Sequence, residues 1–420
     1  MESTRQPHVV LVGGLGWTGV RVAESARARG CRLSLIQEAG KTTEQQRMTA
    51  SRVIGIPDLT DAERVTREVK DLHADAPVDY ILSVTEFGLI TAASAAQTLG
   101  IPTPVQTGVA ELLRSKSRMR ELLAIHPGLA VQSRLCASYD EAREAAHSIG
   151  YPVIVKPDDS WGSLGVRRVN EDDELRLAVD ACGSIGGALL VEEFLGGPEY
   201  SVEAFSHAGV HHVYAITRKT KLPNFVETGH VVSAVTTDSD VARLVERFLN
   251  TVGLTDGNSH TEVIVTSDGP RIVESHNRPG GDSIPRLVLL ATGVDLADLA
   301  VAVPLGLTDV PHKPPLRRGA AIRFWVGQPG TVVATPRLPE RALSQCEEVV
   351  FTARPGQRTT EVLHSFDRLG FLITHDATAD KAAERAEQLV TSHPFDIAPA
   401  TDAEAADERL DRVRRYARGG

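Results

Sequence analysis

Four short apolar runs open the chain: Val9–Val12, Leu33–Ile36, Val53–Ile54 and Tyr80–Val84. Between them, "GVRVAESARARG", "DAERVTREVKDLH" and "LITAASAAQTLG" carry apolar residues at helical spacing. Short buried strands alternating with helices predict a parallel sheet covered on both faces. The two prolines of "GIPTPVQTG" then break the pattern and mark a boundary near residue 108.

Beyond that point the grammar changes. One helix is predicted across "VAELLRSKSRMRELLAIH", followed by strand-like "YPVIVKP", a glycine-bearing loop "DDSWGSLGV", a helix "EDDELRLAVDAC" and a strand "ALLVEEF". "YSVEAFSHAGVHHVYAITRK" and "HTEVIVTSDGPRIVESH" each read as two antiparallel strands around a tight turn. After the proline-rich "VPHKPPLRRG" come short strands in "AAIRFWVGQPGTVVA", "EEVVFTARPG" and "GFLITHDA", then a helix "ADKAAERAEQLV" and a charged, helix-like tail. The expected fold class is therefore α/β followed by α+β. Its units are 1–108, 109–190, 191–315 and 316–420.

At 420 residues the chain is too long for one ordinary domain. A net charge of -10 argues against a broad nucleic-acid-binding surface and favours small-molecule partners. Cys31, Cys136, Cys182 and Cys346 are scattered and form no C-x-x-C pair, which points away from a disulfide framework and toward a reducing compartment. No apolar run approaches the roughly 18 residues of a membrane helix, and the first residues lack a signal pattern. A cytoplasmic enzyme without membrane or nucleic-acid partners is expected.

Several stretches carry chemistry. Gly14-Leu15-Gly16-Trp17-Thr18-Gly19 matches G-x-G-x-x-G, and Glu38 stands where a ribose-binding acid would lie in a dinucleotide enzyme. No second dehydrogenase feature accompanies it. The same loop could meet a carboxylate at a helix start, through Gly14 and Gly16, or merely pack a turn. Gly40-Lys41-Thr42 lacks the earlier glycine of a P-loop, because Leu35 occupies that position. Lys156 follows apolar strand residues, where an ammonium needs an anion or a path to water. The next loop offers Ser160, Gly162, Ser163 and Gly165, a composition suited to phosphate. Glu192, Glu193, Phe194 and Leu195 end a strand. The segment can meet an adenine edge through its backbone, and Glu199 can accept ribose hydroxyls.

Glu262 and Glu274 fall on two strands of one predicted hairpin, side by side. Like charges so placed need a cation, and magnesium held by carboxylates and nucleotide phosphates fits. His276 or Asn277 could complete such a shell, and Arg278 could meet an anionic substrate. His230 is a candidate for substrate contact or proton transfer, the alternative being a solvent-facing strand end. Glu86 ends a strand where open α/β sheets bind ligands, or else caps the next helix. His207, His211 and His212 fall across a surface hairpin and are not read as a metal site.

In this order, these residues resemble the ATP-grasp superfamily, in particular its carboxylate–amine ligases, the L-amino-acid (dipeptide) and carnosine-synthase-like enzymes. The resemblance implies an N-terminal Rossmann-like domain, a central two-part ATP-grasp module and a small C-terminal α+β domain. It implies ATP and Mg2+, as one or two ions with Mn2+ as a substitute, and an acyl-phosphate route to an amide. Lys116 in "SKSRMR" and Lys156 would contact phosphates, and Asp158–Val166 would form a mobile lid. Glu192 to Leu195 would form the adenine hinge, Glu199 would hold the ribose, and Glu262 and Glu274 would hold metal. Arg278, with Gly280 and Gly281 following, would face the substrates. Carboxylate and amine substrates, and a homodimer, complete the expectation. The family run Glu-x-Asn-x-Arg reads Glu274-Ser275-His276-Asn277-Arg278 here, so histidine, a poor partner for a hard ion, stands in the asparagine position. Biotin-carboxylase-like or formyl-phosphate chemistry, and a dinucleotide binder, are the competing readings.

Overall fold

The apolar runs at the N-terminus do form a parallel sheet, in the order Arg52–Ile56, Arg32–Glu38, His8–Val12, Tyr80–Leu82. The computed structural model describes residues 5–158, 165–183, 188–233, 239–312 and 316–400. Strand alternation sends Val9, Leu11, Leu33 and Leu35 into one core with Val22, and Val10, Val12 and Ile36 into another with Val65 and Val69. Both faces are covered by helices, as continuous apolar strands require. The first core also takes in Ala297, Ala300 and Val301, from a helix (Leu296–Ala302) far along the chain. Arg21 reaches Asp295, the cap of that helix, and Arg29 reaches Asp298 within it, at 2.6 Å each, seating this sheet on the rest of the molecule.

The largest sheet has eight antiparallel strands, in the order Gly269–His276, Gly257–Thr266, Glu199–His207, Val210–Lys221, Glu227–Ser233, Gly319–Trp325, Gly370–Asp376, Cys346–Phe351. Both expected hairpins are present. His207 pairs with Val210 across Ala208 and Gly209, both at positive φ, the geometry of a two-residue hairpin turn. One face of the sheet packs Val202, Val213, Val263 and Ile272 against a helix, Asp240–Val252. The other packs Phe205, Val232, Ile322 and Phe324 against another, Ile284–Thr292. The sheet runs unbroken past residue 316, since Glu227–Ser233 pairs with Gly319–Trp325.

A separate four-stranded sheet, ordered Ser133–Cys136, Leu189–Glu193, Val153–Pro157, Arg167–Val169, carries two helices, Tyr139–Ile149 and Asp172–Gly183. A three-stranded sheet of Arg358–Thr359, Gly330–Ala334 and Asp396–Pro399 lies near the C-terminus. The single helix expected from residue 109 is two, Thr107–Arg114 and Lys116–Ala124. Ser115 is extended, closing the first helix and capping the second by accepting from the Arg118 amide. Asp158 fixes this corner, accepting from the Ser117 amide (2.7 Å) and from both serine hydroxyls. Val109, Leu113, Met119 and Leu123 pack on the eight-stranded sheet, so both helices belong to its core. The expected tail helix lies outside the described residues.

Candidate active site

The corner at Ser115 places Lys116 at the start of a helix, buried, at the mouth of a cavity of about 540 Å3 between the four-stranded and eight-stranded sheets. Strand alternation explains the next contribution. Val153 and Val155 enter the core of the four-stranded sheet, while Ile154 and Lys156 line the cavity. Glu192 is buried there, accepting from Arg120 Nε (2.7 Å) and Lys156 Nζ (2.6 Å). Arg120 also donates to the carbonyls of Ile272 and Val273, at 2.9 Å each. Burial pushes the Glu192 carboxyl up, but Arg120 and Lys156 outweigh it and hold the group at about 2. Lys156 lies below its ordinary value. Burial is the main cause and the Arg120 and Lys116 charges add to it, although Glu192 opposes them. Two cations on one carboxylate, with Lys116 lining the same cavity, make a place that favours a further anion. Apolar walls adjoin it: Ile154, Phe194, Leu195, Leu222, Phe225 and Ile264.

The opposite wall is acidic. Glu262 and Glu274 are direct cross-strand partners. Carboxylate oxygens of Glu199, Glu227 and Glu262 lie within 4.8 Å of one another. The Lys219 ammonium sits among them, 2.7 Å from Glu227 and 3.4 Å from Glu199, and in contact with Glu262. Burial would discharge this lysine, yet Glu227, Glu262 and Glu199 hold its pKa well above the usual lysine value. Lys221, two residues on and so on the same strand face, pairs with Glu199. Lys116 Nζ is 3.5 Å from Glu274. Burial and Glu274 push Glu262 upward, but Lys219 and His260 hold it at about 2. Glu274 lies well below its ordinary value; burial opposes this, and Lys116 and His276 prevail. These are ionised oxygen donors around a cation, a set that fits a hard divalent ion such as Mg2+.

Toward the N-terminal sheet, Glu86 Oε2 accepts from Arg278 Nε (2.8 Å) and lies 3.0 Å from His276 Nδ1. Thr85, not Glu86, precedes the helix Glu86–Leu99, and the Glu86 carboxylate reaches His276 and Arg278 instead of capping. His230 is fully buried in mid-strand, which excludes the solvent-facing reading. Its Nε2 is 3.1 Å from Asp282 Oδ2 and 3.8 Å from Glu227 Oε2. Arg368 grips Asp282 with two bonds of 2.6 Å. Burial alone would raise Asp282, but Arg368 and His230 keep it well below the usual range. Asp282 and Ser283 both adopt positive φ, unusual for residues with a side chain.

The structure thus brings Lys116, Lys156, Glu192, Glu193, Phe194, Leu195, Glu199, Glu262 and Glu274 around one cavity. His276 stands beside Glu274, with Nε2 3.3 Å from Oε1. Asn277 is not brought there. It lies one residue past the end of the strand and donates to the Asn258 carbonyl at 2.8 Å. Gly14, Gly16, Gly280 and Gly281 do not line the cavity. Ser160, Gly162 and Ser163 lie outside the described residues, and Gly165 is in a left-handed turn before the cavity-lining Val166. Arg120, Lys219, Lys221, Glu227, Asp282 and Arg368 also belong to this region, without a sequence motif that marks them. Arg120 was within reach from the sequence, one turn after Lys116 on the same helix face. Lys219 and Lys221 show the alternation of one strand face.

Known proteins share this architecture. Family models match residues 23–103 (ATP-grasp N-terminal domain), 149–285 (ATP-grasp domain) and 323–392 (L-amino acid ligase C-terminal domain 2). An uncharacterised protein of Sinorhizobium fredii is 26% identical over 82% of this chain and 74% of its own length. Carnosine synthase 1 of Homo sapiens is 25% identical over 74% of this chain, a match spanning only 41% of that larger protein. Alanine–anticapsin ligase of Bacillus subtilis is 25% identical over 59% of this chain and 57% of its own. Among solved structures, the L-amino acid ligase of Bacillus licheniformis aligns with a TM-score of 0.79 at 21% identity, covering 94% of this chain and 100% of that one. The biotin carboxylase domain dimer of the Hydrogenobacter thermophilus 2-oxoglutarate carboxylase, solved with MgADP, ADP and bicarbonate, aligns at 0.71 and 18% identity, covering 93% and 90%. No helix among the described residues is long and apolar enough to cross a membrane. The chain thus carries, one after another, an ATP-grasp N-terminal domain, an ATP-grasp domain and an L-amino acid ligase C-terminal domain.

Proposed function

We propose that this chain is an ATP-dependent ligase that joins a carboxylate, an amino acid, to an amine through an acyl phosphate, releasing ADP and phosphate. One observation carries the reading: a single cavity is lined by apolar side chains, by the Lys116, Arg120 and Lys156 cations and by the Glu262–Glu274 pair. Such a cavity matches a nucleotide with an uncharged ring at one end and metal-bound phosphates at the other. In this reading the apolar walls and the Glu192–Leu195 segment hold the base, and Glu199 holds the ribose. Lys116, Lys156 and Gly165 meet phosphates, and Ser160, Gly162 and Ser163 are assigned to ATP binding with them by their type alone. Glu262 and Glu274 hold Mg2+, as one or two ions, with Mn2+ as a substitute. Bound there, the ion would offset phosphate charge during phosphoryl transfer.

Phosphoryl transfer needs positioning and charge neutralisation more than a protein nucleophile. Arg278 is suited to the acid substrate or the acyl phosphate once Glu86 yields its guanidinium. His230, held between Asp282 and Glu227, is suited to orienting the amino-acid substrate or accepting the amine proton. The match of residues 323–392 to an L-amino acid ligase domain favours amide formation over carboxylase or formyl-phosphate chemistry. A cytoplasmic homodimer completes the proposal, and solution mass checks the assembly.

Nucleotide release from MgATP across pairs of amino acids tests the reading, with ADP separated from AMP and products weighed. Pair-dependent ADP release with a product equal to two substrates minus water is expected. AMP release would overturn the acyl-phosphate route. Release that depends on bicarbonate or formate would move the chain to the competing chemistries.

A further inference from the structure

Behind the two metal-facing carboxylates stand two histidines, His260 and His276, themselves direct cross-strand partners. Their rings lie 6.4 Å apart and nearly parallel, at 23°. Each ring bridges two carboxylates. His260 meets Glu203 through Nδ1 at 2.7 Å and Glu262 through Nε2 at 3.4 Å. His276 meets Glu86 through Nδ1 at 3.0 Å and Glu274 through Nε2 at 3.3 Å. The arrangement is the same twice over: a rear carboxylate grips the ring, and the ring reaches the front carboxylate.

Glu203 is the less expected member. It is fully buried at the centre of the large sheet, where an unpaired carboxylate would be costly. Its Oε1 accepts from Ser201 Oγ at 2.9 Å and faces His260, while Oε2 has no hydrogen-bond partner. A Cβ on Gly280 would lie 2.7 Å from His260 Nδ1 and 3.1 Å from Glu203 Oε2. The glycine is thus what admits the pair, which gives Gly280 a packing role. An ordinary core would fill this space with apolar side chains. A buried ion pair there contributes little to stability compared with such a filling, so its presence needs another reason.

We propose that His260, backed by Glu203, is a positioning residue that fixes the Glu262 carboxylate for a divalent cation, and that His276, backed by Glu86, does the same for Glu274. The proposal rests on the nucleotide and metal reading above. The front contacts are longer than an ordinary hydrogen bond of about 2.9 Å, while the rear ones are close to it. Lys219 shares Glu262 Oε1 with His260, and Lys116 is on the other oxygen of Glu274. The lysines face the nucleotide side and can turn to phosphates; the histidines remain and hold the carboxylates against rotation. The two bridges differ in reach. Glu203 belongs to the same sheet as Glu262, whereas Glu86 belongs to the N-terminal unit, so the second bridge ties the metal site to the seating of that unit.

The test is a titration of the full chain with Mn2+ at saturating ADP, with free Mn2+ read by electron paramagnetic resonance. ADP affinity in excess chelator is measured in parallel. His260→Ala is expected to weaken Mn2+ binding about 10–100-fold while leaving chelator-ADP affinity unchanged, and His260→Gln, which keeps a donor toward Glu262, to recover part of the loss. Glu203→Gln, of equal size, serves if His260→Ala does not fold, with a loss in the same direction. Wild-type Mn2+ affinity in a folded His260→Ala or Glu203→Gln protein would overturn the positioning role, as would a His260→Gln variant no better than alanine. A wild-type chain that binds no Mn2+ with ADP would overturn the metal reading itself, and the inference with it.

Discussion

Two regions of this molecule present the residues of a nucleotide site, the glycine loop after the first strand and the cavity between the two central sheets, and they differ in what their residues touch. In the loop, Gly13 and Gly16 adopt positive φ and Gly14 accepts from the Gln46 side chain through its carbonyl. A Cβ on Gly19 would lie 1.9 Å from the Gly14 carbonyl oxygen, so that glycine is required by contact within the loop. The cavity is built the other way. Its lysines, arginine and glutamates are buried and held by one another, with an excess of positive charge at one end and of carboxylates at the other. Glycines that satisfy each other explain a turn. Charges that are buried only because other charges hold them mark a site prepared for a charged ligand.

The strongest way to break this contrast is Glu274→Ala. Product formation should fall on the order of 10³-fold, with the fold kept, because the side chain faces the cavity and not a core. Turnover near wild type in a folded variant, measured by ADP release with the best substrate pair, would remove the acidic wall from the mechanism. Next in size is Lys219→Met. It leaves Glu199, Glu227 and Glu262 without the cation between them, and a loss of about 3–4 kcal/mol in urea unfolding without nucleotide is expected. A variant as stable as wild type would show that the three carboxylates are not held in place by this lysine.

Much of this was legible along the chain. The parallel sheet followed from uniformly apolar strands, and both central hairpins followed from alternation and turn residues. The Glu262–Glu274 pairing followed from their places on one hairpin. His276 shares the strand face of Glu274, two positions away, while Asn277 falls just past the strand. Other features were not legible. Arg368 reaches Asp282 across 86 positions of sequence, and nothing local in either segment announces the partner. Glu203 sits between Val202 and Ala204 with no motif around it, and its purpose appears only when His260 is seen beside it. The break at Ser115 was hidden because the helical pattern continues across it, while the cap depends on the distant Asp158.

The cationic end has its own test, in acid. Glu192 is depressed from 4.5 to about 2, so the stability it contributes is fully present above 4.5 and is lost as pH falls toward 2. Between about pH 5 and about pH 3 wild type should lose about 2 kcal/mol more than Glu192→Gln, which has no proton to gain there. The variant is weaker at neutral pH and flatter in acid. Parallel pH dependence of the two unfolding curves would place the acid sensitivity elsewhere.

The smallest effects belong to the glycine loop, and they are the ones that would reverse the opening contrast. Gly16→Ala meets nothing within 4 Å but must hold a left-handed conformation, at a cost of about 1 kcal/mol. Gly19→Ala forces a backbone contact apart and should cost more, about 1–3 kcal/mol. Neither should alter ADP affinity, read by calorimetry with Mg2+ present, because neither residue lines the cavity. A selective rise in KM for the acid substrate in Gly16→Ala would give the loop amides a place beside that substrate. A fall in ADP affinity would instead return the loop to nucleotide binding, and the buried charges of the cavity would then need another ligand.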